Sequence, residues 1–266
     1  MATAVGAVKG PTGGRRACKG LEASCRQHNW GRQVLQWWGP EDVDGARSES
    51  SDGGLQHGGG CGYDDLHSGY GIANGALSSA LFNNGATCGA CYKIVCDWRQ
   101  DPQWCLPGTS IIITATNLCP ANPALPSDNG GWCNLPLEHF DLSEQAFLQI
   151  AKYKSGIVPI QYKRVHCKKN GGIKFTINGF NYFELVLISN VGGRGDLIAV
   201  WIKGSGTGWQ QMTRNWGANW MSNSYFNGQS LSFQLMSSSG KILTLYNVAP
   251  PNWQFGQTFV SSRQFR

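Results

Sequence analysis

The sequence predicts an all-β protein of two modules, a loop-rich module stapled by disulfides followed by a β-sandwich, and three observations lead there. The chain has 266 residues, more than one small core usually serves, so two modest cores are expected. Charged residues make up only 14% of it, whereas it holds 36 glycines and 11 tryptophans, a balance that favours strands and tight turns over helices. Eight of its ten cysteines fall between Gly58 and Gly172 and none follows, so the stapled part and the unstapled part are separate units.

Taken in order, residues 1–56 mix Arg, Glu, Asp, Ser and Gly without periodicity and read as disordered. The exception is Gln33 to Trp38, where Val34, Leu35, Trp37 and Trp38 can form one strand. Met1 to Val8 offers only Ala, Val, Thr and Gly before Lys9, Arg15, Arg16 and Lys19 intervene, so no recognisable signal peptide is read. Residues 57–172 form the stapled module, with β-like runs at Tyr92–Val95 and Ser110–Thr116 between Gly, Pro and Asn clusters. One helix is expected after a Ser143 cap, through Glu144, Ala146, Phe147, Leu148, Ile150 and Ala151, ended by Gly156 and Pro159. Beyond Phe175, strands are expected at Phe183–Ser189, Leu197–Lys203, Leu231–Leu235 and Lys241–Leu245, an even spacing that suits a sandwich.

The cysteines exclude some chemistries. Cys88 and Cys91 form a Cys-x-x-Cys with no second pair or His pair at zinc spacing. Disulfides and hence an oxidising, extracellular compartment are expected. His57, His67, His139 and His166 show no ligand spacing, so neither a metal nor a cofactor is expected. The net charge of +6 is spread along the chain, densest at Lys168, Lys169 and Lys174. That argues against nucleic acid and suits an acidic polysaccharide or simple solubility.

Hydrolysis of a glycosidic bond needs two carboxyl groups. Asp141, just before the helix, is the groove candidate; its plainer reading is a helix cap or charge partner. Asp64, Asp65, Asp97, Asp101 and Asp128 lie in loops, so no pair forms on paper, and no Gly-x-Ser-x-Gly occurs. Trp209, Trp216, Trp220 and Tyr225 crowd together, with Trp201 before them and Trp253 after. Such rings either stack on the C–H faces of sugars or fill the core. In Leu197–Lys203, alternation puts Ile198, Val200 and Ile202 on the core side, and Trp201 outward beside Lys203. Arg194-Gly195-Asp196 reads as an ordinary turn between strands, and no Asn-x-Ser/Thr sequon is present.

Several longer motifs are more specific. Gly59-Gly60-Cys61-Gly62-Tyr63, Ala76-Leu77-Ser78-Ser79-Ala80-Leu81-Phe82-Asn83-Asn84-Gly85, Cys88-Gly89-Ala90-Cys91, Asn129-Gly130-Gly131-Trp132-Cys133, His139-Phe140-Asp141-Leu142, Arg214-Asn215-Trp216-Gly217 and Asn252-Trp253-Gln254-Phe255-Gly256-Gln257 closely resemble the α-expansins. The resemblance runs from about Asp52 to Phe259. It implies a six-stranded double-psi β-barrel, similar to family-45 glycoside hydrolases, over residues 57–172. An immunoglobulin-like cellulose-binding sandwich over 181–261 is implied after it. It further implies the disulfides Cys61–Cys88, Cys91–Cys167, Cys96–Cys105 and Cys119–Cys133, with Cys18 and Cys25 outside the pattern.

By the same resemblance Asp141 matches the hydrolase acid, while the hydrolase base has no counterpart in the family. Related expansins often show Thr-Asp where this chain has Thr114-Ala115. The implied glucan groove comprises Asp141, Tyr63, Thr114, Thr116, His139 and Asp52. The implied cellulose surface comprises Tyr182 and Trp216, to which Trp209, Trp201 and Trp220 are added as candidates; Trp201 stands where the family usually has a small polar residue. Ser51-Asp52 keep their distance from Cys61, but Gly45 to Ser50 replace the family's first-strand residues, with Ala46 and Ser48 in place of a groove Thr and Tyr. Asp64 and Asp65 replace a usual Gly-Asn.

The function implied is non-hydrolytic loosening of the plant cell wall by a secreted monomer. Its partners would be cellulose and xyloglucan or other matrix glucans, with membrane contact only during secretion. The alternatives are a binding-only cellulose protein with a defective barrel, or an endoglucanase or lytic transglycosylase.

Overall fold

The computed structural model describes residues 31–38, 59–63 and 70–266. Six strands close a barrel: β1 (Gly31–Trp38), β2 (Asn74–Ser78), β3 (Cys91–Cys96), β4 (Ile111–Cys119), β5 (His139–Ser143) and β6 (Ile157–Val165). Around the barrel they run β1-β5-β2-β4-β3-β6. Two of the contacts, β1 with β5 and β2 with β4, are parallel, which short hairpins cannot supply. Leu35, Leu77, Ile94, Ile113, Phe140 and Leu142 are fully buried at its centre.

The first strand comes from an unexpected place. Residues 31–38 cover the island Gln33 to Trp38 read as one strand within an otherwise aperiodic stretch, outside the span given to the barrel, and they pair with β5 on one side and β6 on the other. The apolar island is therefore the staple of the barrel's closure, and the altered Gly45–Ser50 stretch does not leave the barrel open.

The helix is shorter than expected. Ser143 does cap it, its Oγ accepting from the Ala146 amide at 3.3 Å. Helix α2 (Glu144–Phe147), which follows α1 (Ser79–Phe82), then passes into turns. Ile150 and Ala151 remain buried, but Ala151 is drawn into a bridge with Cys105, and that pairing is incompatible with another helical turn. Four disulfides join Cys61 to Cys88, Cys91 to Cys167, Cys96 to Cys105 and Cys119 to Cys133, the pairs that the resemblance implies.

The second module is built from β7 (Lys174–Phe180), β8 (Phe183–Ser189), β9 (Leu197–Gly204), β10 (Gln210–Gln211), β11 (Thr213–Arg214), β12 (Asn219–Ser222), β13 (Leu231–Ser237), β14 (Ile242–Ala249) and β15 (Gln257–Val260). They form a four-stranded sheet, β10-β9-β13-β14, packed on a five-stranded one, β11-β12-β8-β7-β15. Phe175 and Phe233 stack across the gap at 4.5 Å. On β9, Val200 and Ile202 face this core and Trp201 and Lys203 face away, following the alternation. Ile198 does not follow it: a register shift against β13 pairs Met236 with Ala199 and Ser237 with Leu197, so Leu197 is buried and Ile198 is 53% exposed.

The modules meet backbone to backbone. Cys167 and Gly193 exchange amide hydrogen bonds of 2.7 and 3.2 Å, and the Ala218 amide donates to the Cys61 carbonyl at 2.9 Å. Leu187 and Ala218 of the sandwich belong to the barrel's own core. Asp196 is buried against Arg164 at 2.8 Å, so the Arg194-Gly195-Asp196 turn is a structural clip and its carboxylate faces no solvent. At Gly195, φ is +82°, and an added Cβ would sit on the Gly89 carbonyl oxygen and the Cys167 sulfur. Gly195→Ala is expected to destabilise the protein by about 2–3 kcal/mol, seen as a lower midpoint in thermal or urea melts; an unchanged midpoint would refute the close approach.

Glu184 lies on the core-facing side of β8 with Val186 and Ile188, fully buried. Burial pushes its carboxyl up to about 7. The folded chain thus holds a proton that the unfolded chain releases near the ordinary carboxylate value, so stability is full in acid and falls as the pH rises towards 7. Replacing it by Gln is expected to remove about 2 kcal/mol of the stability difference between pH 4.5 and pH 7.5, measured as the difference between wild-type and Glu184→Gln unfolding free energies at the two pH values.

Candidate functional site

On β5 the alternation that buries Phe140 and Leu142 in the barrel puts His139 and Asp141 on its other face. His139 Nε2 lies 2.8 Å from Asp141 Oδ1, with both side chains nearly enclosed. They line a small cavity of about 60 Å³ with Asn122, Trp132 and the Cys119–Cys133 disulfide. The sulfurs of Cys119 and Cys133 lie within 4.8 Å of the Asp141 carboxylate, but joined to each other they offer a metal no thiolate. Asp141 is thus held by a disulfide wall and a histidine, while Ser78, whose Oγ accepts from the His139 amide at 3.0 Å, fixes the strand beneath.

A second polar cluster lies where β2 meets β4. Asn74 pairs with Thr114 and Gly75 with Ala115, but Ala76 pairs with Asn117, so Thr116 is the extra residue of a bulge. Its hydroxyl donates to Asn74 Oδ1 at 3.2 Å. Lys169 Nζ donates to Thr114 Oγ1 at 2.9 Å and lies 4.5 Å from the centre of the Tyr70 ring. Burial lowers its ammonium to about 8. Tyr63 is packed beneath, its ring 4.8 Å from that of Tyr70, and burial, reinforced by Tyr70, raises its phenol well above the usual value. Tyr63 is a floor residue of this cluster and exposes almost no surface. Ala115 is buried in the barrel core between the two threonines.

The aromatic residues of the sandwich divide between its sheets. At the β7–β8 turn Tyr182 is 64% exposed and touches Tyr225, the ring centres 5.0 Å apart. Beside them Phe180 stacks on Phe183 at 5.3 Å. Trp216, in the β11–β12 turn of the same sheet, is 45% exposed and leans on the barrel over Gly62, where a Cβ would clash with its ring. Tyr182, Phe180, Phe183 and Trp216 belong to the strands and turns of the five-stranded sheet, and Tyr225 to the connection that leaves it for β13.

Against known proteins, the expansin C-terminal domain family matches residues 173–250 and the lytic transglycolase domain family matches residues 74–162. Expansin-A25 of Oryza sativa subsp. japonica is 51% identical over 239 residues, spanning 90% of this chain and 90% of its own. The chain belongs to the α-expansin (expansin-A) family. Expansin-A22 of Arabidopsis thaliana is 55% identical over 208 residues, 78% of this chain and 73% of its own. The fold is shared with a crystal structure of the Clavibacter michiganensis expansin at a TM-score of 0.64 and 16% identity, covering 89% of this chain and 98% of that one. A mutant of that bacterial protein, solved in complex with cellohexaose, gives 0.63 at 15% identity.

Within this expansin the expected site residues separate. Asp141, His139, Thr114 and Thr116 lie on β5 and β4 on either side of β2; Asp52 lies outside the described residues. Trp220 is corrected from surface to core: it pairs with Val186 on the inner side of the five-stranded sheet, is 4% exposed and lies under the Arg214 guanidinium at 4.3 Å. Trp201 and Trp209 do not join Tyr182 and Trp216, because they belong to the opposite, four-stranded sheet. Sequence reasoning counted Lys169 only as part of a basic patch and missed Tyr70 and Asn74, since nothing local ties residues so far apart.

Tyr182 has φ of +64°, a left-handed conformation that is costly for a bulky side chain. Tyr182→Gly is expected to raise stability by about 1 kcal/mol while weakening retention on cellulose, checked by thermal melts alongside a cellulose pull-down. Loss of stability on substitution would show that the ring is there for packing.

Proposed function

We propose that this expansin is a secreted plant protein that loosens the cell wall without hydrolysis, separating cellulose microfibrils from the matrix glucans bound to them. One observation carries the reading: among the described residues the groove holds a single positioned carboxylate. Asp141 is enclosed and oriented by His139, whereas Glu138, three residues before it, is taken by the Tyr162 hydroxyl at 2.6 Å, and Glu144, three residues after it, lies in the first turn of α2. The Asp97 carboxylate accepts from Gln100 and Gln161 at 2.7 and 2.8 Å on a different wall of the barrel. Protonation of a leaving oxygen and activation of water need two groups placed across one bond, and among the described residues only one is so placed. A lone carboxylate beside hydroxyls and an amide is suited to competing for the hydrogen bonds of a glucan chain.

The exposed Tyr182, Tyr225 and Trp216 rings supply the complementary part. Planar side chains desolvate the C–H faces of a flat glucan and hold the protein on the fibre. Likeness in fold to a protein solved with cellohexaose supports a β-linked glucan as ligand. The barrel's closure by β1 weighs against the binding-only reading, because six described strands surround the barrel core. The matrix partner in this reading is xyloglucan or another matrix glucan, with the protein acting as a monomer outside the cell.

The test is extension of heat-inactivated wall strips under load, run in parallel with assays for reducing ends and anhydro-sugars. The wild-type protein is expected to extend the strips and release neither product. Asp141→Asn is expected to lose most extension, at least five-fold, with cellulose retention unchanged, and Trp216→Ala to lose retention. Sugar release abolished by Asp141→Asn would establish an enzyme, and cellulose retention without extension a binding protein.

A further inference from the structure

The outward position of Trp201 on the four-stranded sheet gives the sandwich aromatic rings apart from those at the Tyr182 and Trp216 turns. On the four-stranded sheet Trp201 faces outward between Gln211 of β10 and Gln234 of β13, and Gln234 Nε2 donates to Thr244 Oγ1 of β14 at 3.0 Å. One row along, Trp209 and Tyr246 reach over the intervening strands until their ring centres are 6.2 Å apart, which accounts for the burial of the outward Ser232 beneath them. Tyr246 is 68% exposed, and Trp201 and Trp209 are half-buried. Rings framed by a rank of amides and hydroxyls make a surface for sugar rather than for an apolar protein partner, whose core contacts would exclude such groups.

The charge on this face selects the sugar. Lys203 stands two residues from Trp201 on the same side of β9, and the Arg263 guanidinium is held at the β14 edge on the Thr244 carbonyl at 3.1 Å. Residues 173–266 contain two side-chain carboxylates, Glu184 and Asp196, and both are buried. The surface of the module therefore presents cations to which no side-chain carboxylate of its own responds. A neutral glucan gains nothing from that arrangement; a polymer carrying one carboxylate per sugar does. The cations are single and spaced, which fits an anion of that density better than the denser phosphate backbone of a nucleic acid.

We infer that the outer face of the four-stranded sheet is a second polysaccharide site whose ligand is a polyuronate, with the rings of Trp201, Trp209 and Tyr246 on the sugar faces and Lys203 on a carboxylate. The inference rests on the reading of the protein as a wall-polysaccharide binder and extends it: the module holds a glucan on one face and an acidic polymer on the other, and so bridges two wall networks.

The full chain is titrated with polygalacturonate, with the same polymer fully methyl-esterified, and with single-stranded DNA, while retention on microcrystalline cellulose is measured in parallel. Polygalacturonate is expected to bind at least ten-fold tighter than the ester and tighter than the DNA. The double variant Trp201→Ala, Tyr246→Ala is expected to weaken polygalacturonate binding at least five-fold with cellulose retention unchanged. Lys203→Gln, at a partly buried position on the outer side of β9, is expected to weaken it about two-fold and flatten its salt dependence, and Trp201→Phe to restore most of the loss, which controls for misfolding. Tyr182→Ala with Trp216→Ala is expected to do the reverse, so failure of the cellulose site is read separately. The inference is overturned if the ester or the DNA binds as tightly, if Lys203→Gln and the double variant leave polygalacturonate affinity unchanged, or if cellulose retention falls in step with it.

Discussion

The two modules depend on a place where main chain lies directly on main chain. At Gly89 and Gly195, and again at Gly85 and Gly217, the barrel and sandwich backbones approach so closely that a single added carbon would meet backbone atoms of the other module. Around these contacts sit the Cys167–Gly193 bridge, the Arg164–Asp196 pair and the Arg214 guanidinium, which donates to the Gly85 and Gly217 carbonyls at 3.3 and 2.7 Å. Leu187 and Ala218 extend the barrel's core across the seam. The orientation of groove and aromatic face is therefore fixed by backbone geometry, which tolerates less rearrangement than an interface of long side chains.

Within the barrel, the groove owes its shape to two irregularities. The parallel β2–β4 pairing carries a bulge that throws Thr116 towards Asn74, and the strand after the Cys119–Cys133 loop delivers His139 and Asp141 on one side while Phe140 and Leu142 anchor the other. Lys169, from the segment that leads into the sandwich, then reaches back to Thr114. The polar groove is assembled from several parts of the chain, the last of them tied to the barrel two residues away by the Cys91–Cys167 disulfide.

Much of the architecture was legible. Cysteine density separated the two modules, the alternation in Leu197–Lys203 set Val200, Trp201, Ile202 and Lys203 on their correct sides, and Ser143 announced its cap. The misreadings share a cause. Ile198 is exposed because a bulge shifts the register inside the window in which alternation was counted, and that shift depends on the pairing with β13. Trp220 is core, since its strand lies beside Val186, a partner more than thirty positions away in the chain. Gly31–Trp38 reads as a strand with no neighbour until β5 and β6 are in place around it.

By itself the sequence determined the local chemistry of this α-expansin: an oxidised, strand-rich chain with a groove carboxylate in His139-Phe140-Asp141-Leu142 and a surplus of aromatic rings in its second half. Those properties depend on residue type and on near neighbours, which the chain order records. Only the tertiary structure decided which rings share a surface. Tyr182 and Trp216 fall on one sheet and Trp201 and Trp209 on the other, because sheet membership follows from pairing between distant strands, and each pairing is chosen by the packing of the whole core.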